Sequence, residues 1–244
     1  MNRNSFLRST LIGGIALSLL PHWSFVSWQS KYTRDQLVGK GNPDLSGTDF
    51  KMHPDAYIQF LEMKSAAEKE NISIEVVSAY RSFERQKMIF ENKFLKYTQA
   101  GLDPVEAIDK IIEYSTIPGT SRHHWGTDID IIDANAPRPE NVLEPSHFHG
   151  TGPYCELKEW LNENANNYDF YEVYTDDPNR KGFKYEPWHF SFAPVSKEML
   201  QSYKELDIKE ILIEENILGK EHFSDIFLAQ YRKEHILDIN PKLL

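Results

Sequence analysis

From Pro54 the chain reads DAYIQFLEMKSAAEKEN, with apolar residues at Tyr57, Phe60, Leu61 and Ala67. Steps of three and four residues gather side chains on one side of a helix, so this segment is predicted helical. ISIEVVSAY follows, short and rich in β-branched residues, and reads as a strand. Helical spacing returns in RSFERQKMIFENKFLKY through Phe83, Phe90, Phe94 and Tyr97. Asp103 followed by Pro104 forms a cap and first-turn pair, opening a short helix with Ile108, Ile111 and Ile112 on one side. Beyond the Pro118-Gly119 turn, TDIDII is predicted as a strand, and a helix from about Tyr154 to Asn166 carries Leu157, Trp160 and Leu161. DFYEVYT and HFSFAP read as strands separated by the turn DDPNRKG, and from Ser196 the chain looks helical to its end. The late segment FSDIFLAQYRKEHIL is expected to dock as a C-terminal cap. Strands interleaved with helices, with no internal repeat, predict an α+β domain.

Composition narrows the partners. A net charge of -10 without any Lys/Arg block argues against nucleic acid, whose binders carry a basic patch. Cys155 is the only cysteine, so no intramolecular disulfide and no Cys-rich zinc site can form. Any metal must be held by His, Asp or Glu, and Cys155, at a helix start, reads as structural. The early GNPDLSGTD stretch is a loop, and the GKG overlapping its start lacks the spacing of a phosphate-binding loop.

At the N-terminus Arg3 and Arg8 precede an apolar run from Thr10 to Leu20, which Pro21 ends. A run of about eleven residues is too short to span a bilayer as a helix but fits the apolar region of a signal peptide. RNSFLR also looks like a degraded twin-arginine signal, with Asn4 in place of the second arginine. Export to the periplasm or cell envelope is the expectation, and a buried N-terminal helix the alternative. The expected divisions are an export segment over 1–28, a central domain over 29–205 and a C-terminal helical extension over 206–244 packed on that domain.

Three short pieces carry the candidate chemistry. SRHHWGTDID, residues 121–130, places His123 and Asp130 seven apart with Gly126 between them to fold the chain back. On a strand, Asp128 and Asp130 share one face while Ile129 and Ile131 point to the core. A strand carboxylate facing a loop histidine makes a metal pair, and a polar surface loop is the bland reading. In YEPWHFSF, residues 185–192, Trp188, Phe190 and Phe192 alternate with His189 and Ser191, giving a core face and a site face. Pro187 removes a backbone donor and is expected to lift Glu186 off the ladder at the strand's mouth. That adds a third ligand candidate, His189, and a separate base, Glu186. In SAYRSFERQ, Arg81 sits where a strand hands over to a helix, suited to a carboxylate or a developing oxyanion.

In this order the pieces resemble the M15 family of zinc D,D-carboxypeptidases, VanY-type branch. The family pattern falls on Ser121, His123, Gly126, Asp128 and Asp130, then on Glu186 to His189, then on Tyr80, Arg81 and Ser82. The resemblance covers roughly 39–194. It implies a small antiparallel sheet with flanking helices, the hedgehog/DD-peptidase-like fold. It also implies one zinc ion per chain on His123, Asp130 and His189, with His124 left out. Glu186 is then the catalytic base, and Arg81 a catalytic and substrate-binding residue for the oxyanion or the terminal carboxylate. Ser121 is a substrate-side hydrogen-bonding group. The implied activity removes a terminal D-amino acid, D-alanine, from peptidoglycan stem peptides. Where many members carry a small alanine this chain has Asp128, which either orients His123 or His189 or is solvated.

A cross-link-cleaving endopeptidase and a non-catalytic zinc-binding module sharing the fold are the rival readings. The segment ANAPRPENVLEPSHFHGTGP is long enough to wall off one end of a cleft, favouring the exopeptidase. Retention of Glu186 beside three ligands argues against the module. His147 and His149 within that segment read as loop residues at the cleft rim. No Ser-x-x-Lys and no His-Glu-x-x-His occurs, which excludes serine penicillin-binding enzymes and zincins.

Overall fold

The computed structural model describes residues 31–244; the expected export segment lies outside them. Twelve regular elements follow in order. They are α1 (Arg34–Leu37), α2 (Pro54–Glu68), β1 (Ile74–Ser78), α3 (Phe83–Gln99), α4 (Pro104–Ile111) and β2 (Asp128–Asp133), then α5 (Cys155–Asn164), β3 (Phe170–Glu172), β4 (His189–Phe192), α6 (Ala193–Lys204), α7 (Ile208–Glu214) and α8 (Asp225–Tyr231). The four strands form one sheet in the order β1-β2-β4-β3 with every neighbouring pair antiparallel. This is the α+β architecture expected from the sequence.

Local chemistry explains where the helices start. Pro54 and Pro104 each occupy the first turn, where a missing N–H costs nothing. Asp103 accepts from Val105 N at 2.9 Å while Glu106 reaches back to Asp103 N, a capping box. One stripe differs from expectation. On α2 the buried residues are Ala56, Phe60, Met63 and Ala67, and Leu61 is 44% exposed. Four, three and four residues separate the true set, a tighter match to 3.6 per turn than a stripe through Leu61. The C-terminal part is also less regular than read: α6, α7 and α8 are separate short helices, and a π turn over Arg232–Ile236 follows the last. This part packs inward, with Tyr231 buried and its hydroxyl accepting from Ile117 N at 3.2 Å.

Register, more than composition, builds the site. Across β2 and β4, Asp130 pairs with His189 and Asp128 with Ser191. Ile129 pairs with Phe190, both buried on the opposite, core-facing side. Since side chains alternate along a strand, the polar pairs share one face. The β1–β2 register slips between Val76 and Ser78, so that Ser78 pairs with Asp130. Such an irregularity re-aims a side chain, and here it turns Ser78 towards the residues that follow β1.

Candidate metal centre and active-site cleft

Each functional side chain is held by a rigid neighbour. The 3-10 turn Arg122–Trp125 carries His123 and closes on Gly126, whose φ is 68°. A Cβ at Gly126 would sit 2.9 Å from His53 N, so glycine is required there by both conformation and space. His123 Nδ1 lies 2.8 Å from the Ala79 carbonyl. A carbonyl only accepts, so Nδ1 carries the proton and Nε2 keeps its lone pair, which lies 3.4 Å from Asp130 Oδ2. His124 is spent otherwise. Its Nδ1 donates to Arg81 O at 2.6 Å, its Nε2 accepts from Gly119 N at 3.2 Å, and burial lowers its pKa to about 3. Gly39 presses against this ring so closely that a Cβ would stand 2.2 Å from Nδ1. That explains the glycine of the GKG stretch without any phosphate.

His189 opens β4. Its Nε2 donates to Asp128 Oδ2 at 3.0 Å, and its Nδ1 lies 2.8 Å from Glu186 Oε2 and 3.8 Å from Asp130 Oδ1. Glu186 stands on a tight turn, with its own N–H donating to Tyr174 O and its carbonyl accepting from His189 N. Glu186 lies outside β4, off the ladder, and the turn that contains Pro187 holds its backbone. His123, Asp130 and His189 are all buried, and each offers one ligand atom within 4.8 Å of the others.

The donor set fits zinc. A tetrahedral ion with ligands at about 2.1 Å has edges of about 3.4 Å, close to the 3.4 and 3.8 Å separations of Asp130 from the two imidazoles. The local field also asks for a cation. Burial alone would lower the pKa of His189, yet Asp128 and Glu186 against its two nitrogens raise it to about 10. Asp130 is pushed up by burial but held below its ordinary range by His123, His189 and Arg81. Glu186 moves the other way, since burial outweighs its hydrogen bond to His189 and raises it.

Asp128 is fully buried, which removes the solvated alternative. Its Oδ1 accepts from Thr127 Oγ1 at 2.8 Å and Ser191 Oγ at 2.7 Å, and its Oδ2 from Arg122 Nε at 2.9 Å as well as from His189. Of the two histidines it orients His189, fixing the proton on Nε2 and directing Nδ1 to the centre. Burial raises its pKa, but Arg122 and His189 overcome this and keep it ionised.

Arg81 follows β1, with Nη1 donating to Gln86 Oε1 at 2.7 Å and Nη2 to Ser78 Oγ at 2.8 Å, and Nη2 4.0 Å from Asp130. Gln86 is itself anchored by donating to Thr116 O at 2.8 Å. Ser121 lines the same cleft, and its buried hydroxyl has no hydrogen-bond partner in the protein. The cleft has a volume of about 630 Å³, and Leu143, Glu144, Pro145 and Ser146 wall one side of it. His147 and His149 stay outside the centre: His147 lies 3.8 Å from Glu144 and His149 2.9 Å from the Tyr185 hydroxyl.

Sequence reasoning missed Gln86, Ser78 and Arg122, and placed Ser191 on the site face without a role. Gln86 was detectable as a polar residue on the apolar face of α3 between Phe83 and Phe90. Arg122 had no such signal, because it matters only through Asp128, and the alternation that placed Ser191 could not show its bond to that carboxylate.

Comparison with known proteins gives the chain's family and fold. A family model described as VanY, D-alanyl-D-alanine carboxypeptidase, matches residues 49–195. An uncharacterized protein of Haemophilus influenzae is 35% identical over 117 residues, covering 46% of this chain and 89% of that protein. A D-alanyl-D-alanine carboxypeptidase of Enterococcus faecalis is 28% identical over 165 residues, or 67% of this chain, and the matched region spans only 55% of that relative's length. Among solved structures, VanYB in complex with D-alanine-D-alanine is similar with a TM-score of 0.52 at 23% identity, covering 72% of this chain and 91% of that one. The LdcB LD-carboxypeptidase is similar with a TM-score of 0.50 at 24% identity, covering 70% and 78%. Those two likenesses establish the fold, and the family match over more than half the chain establishes descent: this chain belongs to the VanY family of D-alanyl-D-alanine carboxypeptidases.

Proposed function

We propose that the chain is a zinc-dependent carboxypeptidase that removes a terminal D-alanine from peptidoglycan stem peptides outside the cytoplasmic membrane. The observation that carries this reading is the meeting of His123, Asp130 and His189 with the Glu186 carboxylate, 2.8 Å from His189 Nδ1, in one buried cleft. His123, Asp130 and His189 would hold one zinc ion, which when bound supplies a Lewis acid and lowers the pKa of an attacking water to about 7. Glu186 takes the proton of that water as its oxygen bonds to the scissile carbonyl carbon, and returns it to the amine as the C–N bond breaks. Its burial-raised pKa suits the second half of this shuttle. Arg81, pinned by Gln86 and Ser78, presents its remaining N–H groups to the oxygen that gains charge. The unpartnered Ser121 hydroxyl is free to bond substrate.

Incubating the chain with defined penta- and tetrapeptide stems and weighing the products tests the proposal. Loss of one alanine from the pentapeptide marks a D,D-enzyme, and loss from the tetrapeptide an L,D-enzyme. Either activity should vanish on chelation and return with zinc. If neither stem is shortened, or a chelator changes nothing, the reading fails. One observation favours the endopeptidase as second reading: a further groove of about 410 Å³ runs along β1 beyond Arg81 and Ile89, which also line the cleft. Release of intact stems from cross-linked dimers would decide for it.

A further inference from the structure

The cleft contains a cation that the proposed chemistry does not use. Lys93 lies on α3, one turn beyond Ile89 and two beyond Gln86, and with Ile89 it lines the cleft that holds Arg81 and Glu186. It is half-buried and has no hydrogen-bond or ion-pair partner among the described residues. A lysine that has lost part of its hydration gains from a counter-charge, and a fully buried one requires it. Lys158, buried on α5, shows what that looks like here: it bonds Asn162 at 2.8 Å and also Glu172. Burial lowers the pKa of Lys93, and Arg81 lowers it further against the pull of Glu186.

The acids that line the cleft with Lys93 each have another neighbour. Glu186 is held by His189, Asp130 lies against His123 and Arg81, and Glu144 lies 3.8 Å from His147. Arg81 already spends one N–H of each Nη on Gln86 and Ser78, and its remaining N–H groups are the ones assigned to the carbonyl oxygen. We infer that Lys93 is a substrate-binding residue that takes a carboxylate of the peptide in the cleft, leaving Arg81 to the carbonyl oxygen under attack. The inference rests on the proposed peptidase reading and gives the division of labour between its two cations. Two sources share this chemistry, the free C-terminus of the stem and the carboxylate of an acidic residue within it. The C-terminus is favoured, because Lys93 lines the same cleft as Arg81 and Glu186.

The test uses the full chain with Lys93→Met, which keeps the stem without the charge, and Lys93→Arg, which keeps the charge. The first probe is diacetyl-Lys-D-Ala-D-Ala, whose only carboxylate is its terminus. For it Lys93→Met should raise KM about 10- to 100-fold, as expected for losing a charge-assisted bond, with kcat within about twofold. Lys93→Arg should recover most of the loss. The C-terminal amide of the same peptide should show equal KM with and without the lysine. If the penalty appears only with stems carrying an internal free acid, that acid is the ligand. Calorimetry of the same peptides on Glu186→Gln chains, with and without Lys93→Met, reads binding without turnover. Peptide that binds through Lys93 but is never cut by the wild-type chain would sink the peptidase reading and leave this one standing. Unchanged KM and affinity for every acid peptide, an equal penalty on acid and amide, or no binding to the Lys93-bearing chain would each overturn it.

Discussion

Asp128 offers the sharpest quantitative test, because a wholly buried carboxylate with four donors has a cost that can be worked out. Replacement by alanine removes the acceptors of Thr127, Ser191, Arg122 and His189 at once. The hydroxyls of Thr127 and Ser191 can turn elsewhere, but Arg122, 4% exposed, is left as a charge without a counter-charge. Removing one member of a buried ion pair costs about 3–5 kcal/mol, a large share of the roughly 5–15 kcal/mol that holds a domain folded. Asp128→Asn should be milder, at about 2 kcal/mol. Its amide oxygen can face Arg122 and His189 while its NH2 faces the two hydroxyls, so only charge assistance is lost. The double variant Arg122→Met/Asp128→Ala removes both charges, and its cost should fall short of the summed single costs by about 1–3 kcal/mol. Urea denaturation of the metal-free chains measures these three variants and the Arg122→Met single that completes the cycle. Competitive zinc titration should show Asp128→Asn weakened about 10- to 100-fold, since His189 loses the group that fixes its ring. An Asp128→Ala cost under about 1 kcal/mol, or strict additivity in the double variant, would refute the account.

Other outcomes separate roles within the site. Glu186→Gln should keep the fold and zinc while hydrolysis falls by at least about 10²-fold, whereas His189→Ala should lose zinc and activity together; a fully active Glu186→Gln would end the proton-shuttle reading. Ser121→Ala should leave the denaturation midpoint unchanged or slightly raised, because its hydroxyl has no protein partner to lose, while kcat/KM falls; a clear destabilisation would show that the hydroxyl is structural. His124 sets an acid limit, since its native pKa of about 3 lies below the ordinary 6.5. As pH falls below about 6.5 the unfolded chain binds a proton that the native chain refuses, so metal-free stability should drop by up to about 1.4 kcal/mol per pH unit towards pH 3. His124→Asn should flatten that slope by one proton, and an unchanged slope would remove His124 from the account.

Much of this protein is written in local order. The helices starting at Pro54, Phe83 and Pro104, the strands at Ile74 and Asp128, and the α+β class follow from periodicity and caps, which depend on near neighbours only. The pairing of His123 and Asp130 is nearly local too, because seven residues and one glycine bring them within 3.4 Å. Glu186 and His189 likewise share one tight turn.

What the chain could not declare is whatever depends on register and burial. His189 meets Asp130 only because β4 pairs with β2 in one of two possible phases; a slip of one residue would turn Phe190 to the site instead. Asp128 could be read as solvated or as orienting a histidine, since alternation decides which face a residue occupies but not whether water reaches that face. Packing decided it, by closing Arg122 and Ser191 over the carboxylate. Nothing in the sequence separates Lys93 from the other helix lysines, and only the cleft beside α3, where Glu186 is already held by His189, makes its charge available to a substrate. Residue type and spacing are properties of the chain, whereas desolvation and the counting of free partners are properties of the space that distant segments enclose.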